Sequence, residues 1–139
     1  MHWAALSLAA TTLLPFTVQG DGIPAPLGGL PGDAARGRAL VANRQQGLCL
    51  LCHAAPLPEQ RQQGNLGPDL AGVGARLNPA QLRLRLVQPQ AVVPDSLMPA
   101  YYRAGPDSGL KRVAPTYVGQ PLFSAQQLED VVAYLSSLK

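Results

Sequence analysis

The stretch Cys49-Leu50-Leu51-Cys52-His53 decides how this chain folds. Its spacing, C-x-x-C-H, is the attachment pattern of a c-type haem. Two thiols three positions apart on a short helical turn can reach the two vinyl groups on one porphyrin edge. The adjacent imidazole then lies under the iron, where the second axial ligand decides much of the chemistry. The pattern predicts one covalent haem c, with Cys49 and Cys52 as thioether donors and His53 as an axial iron ligand.

Two nearby cysteines have other common uses, and each fits this chain less well. A structural zinc site needs four ligands, but the chain has only two Cys, and its second His, His2, lies in a segment that we expect to be removed. A thioredoxin-like dithiol needs a βαβ context, and no strand pattern surrounds Cys49. A disulfide across so short a loop would stabilise little. A non-redox domain with an incidental motif is the alternative from another functional class.

The beginning of the chain indicates export. Residues 3–18 are apolar and uncharged, and Gly20 is a small residue at a cleavage position, as in a secretory signal peptide. The segment before them lacks Lys and Arg, which an upstream start codon or an uncleaved anchor would explain. We expect residues 1–20 to be a signal peptide, the protein to be periplasmic, and the mature form to have no membrane span. Thioether attachment in bacteria also takes place outside the cytoplasm.

Removal of residues 1–20 would leave His53 as the only His and Met98 as the only Met. A lone Met is more often core filler, but Pro99 rigidifies this loop, and the loop is far enough from His53 to reach the opposite haem face. We expect Met98 to be the second axial ligand. An open distal site and a ligand lent by a partner remain alternatives. His/Met ligation leaves no vacant position for substrate, so it predicts electron transfer.

The charge pattern argues against nucleic-acid binding. The formal net charge is +3, and the basic residues are scattered without interleaved aromatic residues. Haem propionates would offset part of this positive charge.

Helical patterns place the chain in the all-α class, as a small class I cytochrome c fold with no convincing strand. Asp33 is expected to cap a helix that starts at Ala34, with Gly47 at its C-terminal cap and Gly37 permitting close approach of the last helix. Its Ala35, Leu40 and Val41 should share one face.

Two later helices are predicted from their caps. One begins at Asn78-Pro79 and ends before Pro89, with Arg83 and Arg85 largely outward. The last begins at Ser124, and its apolar stripe is typical of a core-facing helix.

The domain plan follows from these elements. Residues 21–32 are rich in Pro and Gly, with little material for a core, and are interpreted as an extended N-terminal arm. Residues 33–139 are the cytochrome c domain. Within it, Gly67-Pro68-Asp69-Leu70 resembles the G-P-x-L loop of cytochromes c. This resemblance implies that the Pro68 carbonyl accepts a hydrogen bond from His53 and that Leu70 packs on the haem.

The segments GLCLLCH, GNLGPDLAGVGARL, SLMPAYYR, GLKRVAPTYVGQP and AQQLEDVVAYLSSLK together resemble the SoxX subunit of the thiosulfate-oxidising cytochrome SoxAX. The resemblance covers nearly all of residues 33–139. It implies the same roles for Cys49, Cys52, His53 and Met98.

The resemblance also implies partners. SoxX pairs with SoxA, and the complex oxidatively couples thiosulfate to a cysteine of the carrier SoxYZ. Electrons would pass through this haem to a downstream cytochrome, and the bond-forming site would lie on SoxA. One or both of the segments 21–32 and 103–123 would pack against SoxA. Arg103, Lys111 and Arg112 would meet propionates or a partner, unless they lie on a solvated loop. A free-standing electron carrier is the alternative.

Overall fold

The computed structural model describes residues 13–104 and 114–139. Helices form at α1 (Ala34–Ala42), α2 (Val73–Arg76), α3 (Pro79–Val87) and α4 (Ala125–Ser137), with 3-10 turns at Leu27–Gly29, Cys49–Leu51, Pro89–Ala91 and Pro115–Tyr117. Within those two ranges the only β-type pairing is an isolated bridge between Gln19 and Gly22. The all-α prediction is confirmed. No described helix has the length and apolar character that crossing a bilayer requires.

The helix starts follow from local side-chain caps, as predicted. Asp33 accepts a hydrogen bond from the backbone at the start of α1. Asn78 with Gln81, and Ser124 with Gln127, form reciprocal capping boxes on α3 and α4. Each box satisfies backbone N–H groups that a helix end leaves without a partner.

The C-terminus of α1 was predicted wrongly. The helix ends at Ala42 rather than running to a cap at Gly47. The Asn43 carboxamide accepts hydrogen bonds from the backbone of Gln45 and Gln46, at 2.9 and 3.0 Å. Asn side chains compete in this way with helical hydrogen bonds and turn the chain. The following turn therefore delivers the chain to the Cys49–Leu51 segment.

Helix α1 crosses α4 at a point where only a glycine fits, as predicted. A methyl group at Gly37 would overlap the backbone carbonyl of Asp130, which belongs to α4 and cannot move independently. Leu40 and Val41 are buried with Gly37, but Ala35 is exposed, contrary to the predicted face. This crossing forms one side of the core against which the haem motif rests.

Arg83 on α3 is buried, although the sequence places it outward. Its side chain is 4% exposed and donates to both carboxylate oxygens of Glu129 on α4, with its shortest contacts at 2.8 Å. It also donates to the Ile23 carbonyl at 2.6 Å. Glu129 accepts in turn from the backbone of Leu27 at 3.2 Å. The face of α3 that looked solvent-exposed is thus covered by the N-terminal arm.

The N-terminal arm (residues 21–32) therefore contributes to the core. Ile23 and Leu27 are each 1% exposed, whereas the sequence suggested little core-forming material here. Two aliphatic side chains among many Pro and Gly residues give no periodic signal, so their burial depends on the surface that α3 and α4 present.

Asp130, the residue after Glu129, ties the end of this arm to α4. Its carboxylate accepts from the Asp33 backbone at 2.8 Å and from Arg36 Nε at 2.9 Å. Burial alone would raise the pKa of Asp130, but the hydrogen bonds from Arg36, Asp33 and Gln126 outweigh it and hold the pKa below its ordinary value.

We expect Asp130→Asn to lower the free energy of unfolding at pH 7 by about 1–3 kcal/mol, as for a hydrogen-bonded charge. Because the folded-state pKa lies below the unfolded value, this stabilisation is complete above the unfolded pKa and disappears as pH falls through the folded one. Thermal unfolding from pH 7 to pH 2 should show the two proteins converging in acid. Asp95→Asn, at an exposed position, is the control. A pH-independent difference would contradict the assignment.

Candidate haem site

The haem motif begins on a 3-10 turn, Cys49–Leu51, which is entered through Leu48 in the left-handed conformation at φ 62°. Leu50 is 1% exposed and anchors the turn in the core. The backbone of His53 donates to the Cys49 carbonyl at 2.8 Å, which closes the turn. Cys49 and Cys52 are both half-buried free thiols. The turn therefore presents two thiols and an imidazole from five consecutive residues.

The surroundings of Cys49 keep the thiol neutral. Burial raises its pKa to about 11, and a hydrogen bond with Tyr101 offsets only part of that rise. Burial and the neighbouring Cys49 also raise the pKa of Tyr101. The Tyr101 hydroxyl donates to the Gly47 carbonyl, and this contact ties Tyr101 to the chain just before the motif. This wall of the site is consequently uncharged at neutral pH.

His53 is oriented by the loop that contains Pro68. Its Nδ1 lies 2.6 Å from the Pro68 carbonyl oxygen, so a protonated Nδ1 donates there and leaves Nε2 for a metal. The loop is itself paired with the motif: the Gly67 backbone donates to the Cys52 carbonyl at 2.7 Å, and the Leu70 backbone donates to Ala54 at 2.8 Å. The ring and its acceptor are thus held by the same backbone pairing.

Gly67 is a further site residue that the sequence analysis missed. A methyl group there would lie 2.5–2.9 Å from three atoms of the His53 ring. The backbone of Gly67 therefore forms a close support for one side of the imidazole. A glycine directly before the accepting proline was the available signal.

A cleft opens beside these residues. It has two adjoining lobes of about 390 Å³ each, a size typical of ligand pockets. His53 and Met98 line both lobes, as do Pro68 and Leu70. The structure therefore places all the predicted site residues in the walls of one cleft, with Cys49 and Cys52 in the first lobe only.

The walls of the cleft are predominantly aliphatic, with few polar groups. Arg76 and Arg85 line the second lobe and were not anticipated from the sequence. Two thiols, an imidazole, a thioether and apolar walls match the requirements of a haem c, and the two arginines suit its propionates. The residues present therefore fit this group. Lys111 and Arg112, which were considered for that role, lie outside the described residues.

A family model for cytochrome c matches residues 34–139. The chain belongs to the cytochrome c family. It is also similar to a chain in the crystal structure of SoxXA from P. pantotrophus, with 31% identity and a TM-score of 0.80, over 89% of this chain and 94% of that one. No curated protein sequence matches it. The predicted resemblance to SoxX, the class I cytochrome c fold and the single haem c are confirmed.

In this cytochrome c, the loop that carries Met98 is fixed from several sides. Gln90 Nε2 donates to the carbonyls of Ser96 and Met98, at 3.0 and 2.9 Å. The Tyr101 backbone donates to the Leu86 carbonyl on α3 at 2.9 Å. Gln90 was missed from the sequence because nothing in its surroundings marks it as facing a loop eight residues later. These bonds give the electron-transfer haem a preorganised wall on the Met98 side.

Proposed function

We propose that this chain is the electron-relay subunit of a periplasmic SoxAX-type complex. The observation that carries the proposal is the match to the SoxXA structure over 94% of the solved chain. In this proposal Cys49 and Cys52 hold the haem, His53 and Met98 ligate its iron, and Leu70 packs against it.

The haem supplies one-electron exchange between ferric and ferrous iron. The Pro68 carbonyl accepts the Nδ1 proton of His53 in a hydrogen bond and so fixes the orientation of the ring. The apolar walls exclude water, which favours electron exchange with little rearrangement of solvent. In the proposed reaction a SoxYZ cysteine thiol and thiosulfate form a sulfur–sulfur bond and release one proton and two electrons. Two successive transfers per coupling would carry these electrons to a downstream cytochrome, while the bond itself forms on SoxA.

Exposure of the described residues supports one surface for SoxA over another. The N-terminal arm uses Ile23 and Leu27 to cover its own domain. By contrast, residues 114–119 are all exposed, and Tyr117 and Val118 present apolar side chains to solvent. Among the described residues of the segment 103–123, this portion is the most exposed, so we propose that it contacts SoxA. Export by a leader at its N-terminus would bring this subunit to the periplasm.

Co-expression with the SoxA of the same organism tests the proposal. We expect tagged SoxA to retain this cytochrome stoichiometrically. In the complex, the haem should become reduced when thiosulfate and SoxYZ are added together and not when either is added alone. Val118→Asp should weaken retention, whereas Ala35→Asp, at an exposed position on α1 outside the cleft, serves as the control. A haem-loaded protein that never associates with SoxA would support the free-standing carrier instead.

A further inference from the structure

Residues 13–20, which precede the N-terminal arm, are packed on the folded domain. Leu13 and Phe16 contact the hydrophobic core. Leu14 lies against Gly28 so closely that a methyl group on Gly28 would be 2.7 Å from its Cδ1. We call residues 13–20 the strap.

Backbone hydrogen bonds fix the junction between the strap and the N-terminal arm. Gln19 and Gly22 exchange two backbone hydrogen bonds, at 2.9 and 3.2 Å, and the Ile23 backbone donates to Ala80 on α3 at 3.0 Å. Gly22 touches Ala80 closely enough that a side chain would not fit between them. The path of the strap is therefore set by its fixed downstream end.

The strap reaches the loop that carries Met98. The Leu14 backbone N–H donates to the Tyr102 hydroxyl at 2.8 Å. Tyr102 is 3% exposed and follows Met98 by four positions. Buried hydroxyl groups need hydrogen-bond partners, and the strap supplies one here. Without the strap, Tyr102 would lose this partner and the adjoining core would lose its cover.

The similarity to the SoxXA structure also indicates that residues before 34 belong to the fold. The family model starts at residue 34, so it accounts for about three quarters of the chain. The SoxXA match covers 89% of the chain and must extend into residues before 34. A leader that is discarded has no reason to share the fold of the solved chain.

We infer that the strap stays in the mature protein, so that leader removal occurs before Leu13, and that Tyr102 is a positioning residue for the Met98 loop. The inference rests on the proposed function only in taking Met98 as an iron ligand. Loss of the Leu14–Tyr102 hydrogen bond should raise the population of the state in which the Met98 loop has moved away from the iron.

The first test is the intact mass of the exported holoprotein, produced from the full chain with its haem attached. We expect a mass that includes residues 13–20. A mature chain that begins at Asp21 would overturn the inference.

The second test is imidazole titration of the ferric holoprotein, because imidazole binds only when Met98 leaves. We expect Tyr102→Phe to lower the apparent Kd for imidazole about three- to tenfold, the effect of one hydrogen bond. Tyr117→Phe, at an exposed tyrosine, should leave the apparent Kd unchanged. An unchanged affinity in Tyr102→Phe would overturn the positioning role. If the unmodified protein lacks the sulfur-to-iron absorption band, the Met98 assignment fails instead, and the mass still decides retention.

Discussion

Glu129→Gln is expected to destabilise the folded protein by about 3–5 kcal/mol, the range for breaking one partner of a buried ion pair. The substitution preserves shape but leaves the Arg83 guanidinium, 4% exposed, without a counter-charge. Leu27 of the N-terminal arm loses a charged acceptor at the same time. Urea unfolding of the holoprotein at pH 7 measures the loss.

Glu59→Gln is the matched control for this prediction. Its ion pair with Arg38 has an N–O distance of 2.7 Å, similar to the buried pair, but both side chains are more than 40% exposed. Solvent screening leaves such exposed pairs with little net stabilisation. Equal losses in the two variants would mean that burial of Arg83 does not set the energy of the Glu129 contact.

Met98→Ala is expected to abolish the sulfur-to-iron charge-transfer band at the red end of the visible spectrum. Met98 lines both lobes of the cleft. It is the only thioether among the described residues, so no other side chain described there can replace it. The reduction potential should fall, because a thioether favours ferrous iron more than harder ligands do. Visible spectroscopy and redox titration of the ferric and ferrous holoprotein provide the measurements.

Asp95→Asn controls for damage to the same loop. Asp95 lies three positions before Met98, is exposed and lines neither lobe of the cleft, so its substitution removes little packing. We expect the band and the potential of this variant to match the unmodified protein. Survival of the band in Met98→Ala would show that sulfur from this residue does not reach the iron.

The features that the sequence by itself determined are those encoded within a few residues. The C-x-x-C-H spacing fixes two thiols and an imidazole on one turn because the turn needs only five residues. The caps at Asp33, Asn78 and Ser124 depend on side chains that bond to backbone within three positions. The role of Pro68 was also predictable from the sequence, and its carbonyl lies within hydrogen-bond distance of His53 Nδ1 as expected.

The tertiary structure decided the features that join distant parts of the chain. Arg83 and Glu129 are 46 positions apart, and Leu27 and Glu129 are 102 apart. Nothing near Arg83 indicates that an irregular arm will cover it. Likewise, Arg76 and Arg85 enter the cleft only because α2 and α3 form its far wall. Local patterns specify which groups the chain offers, whereas burial and pairing depend on which surfaces meet after folding.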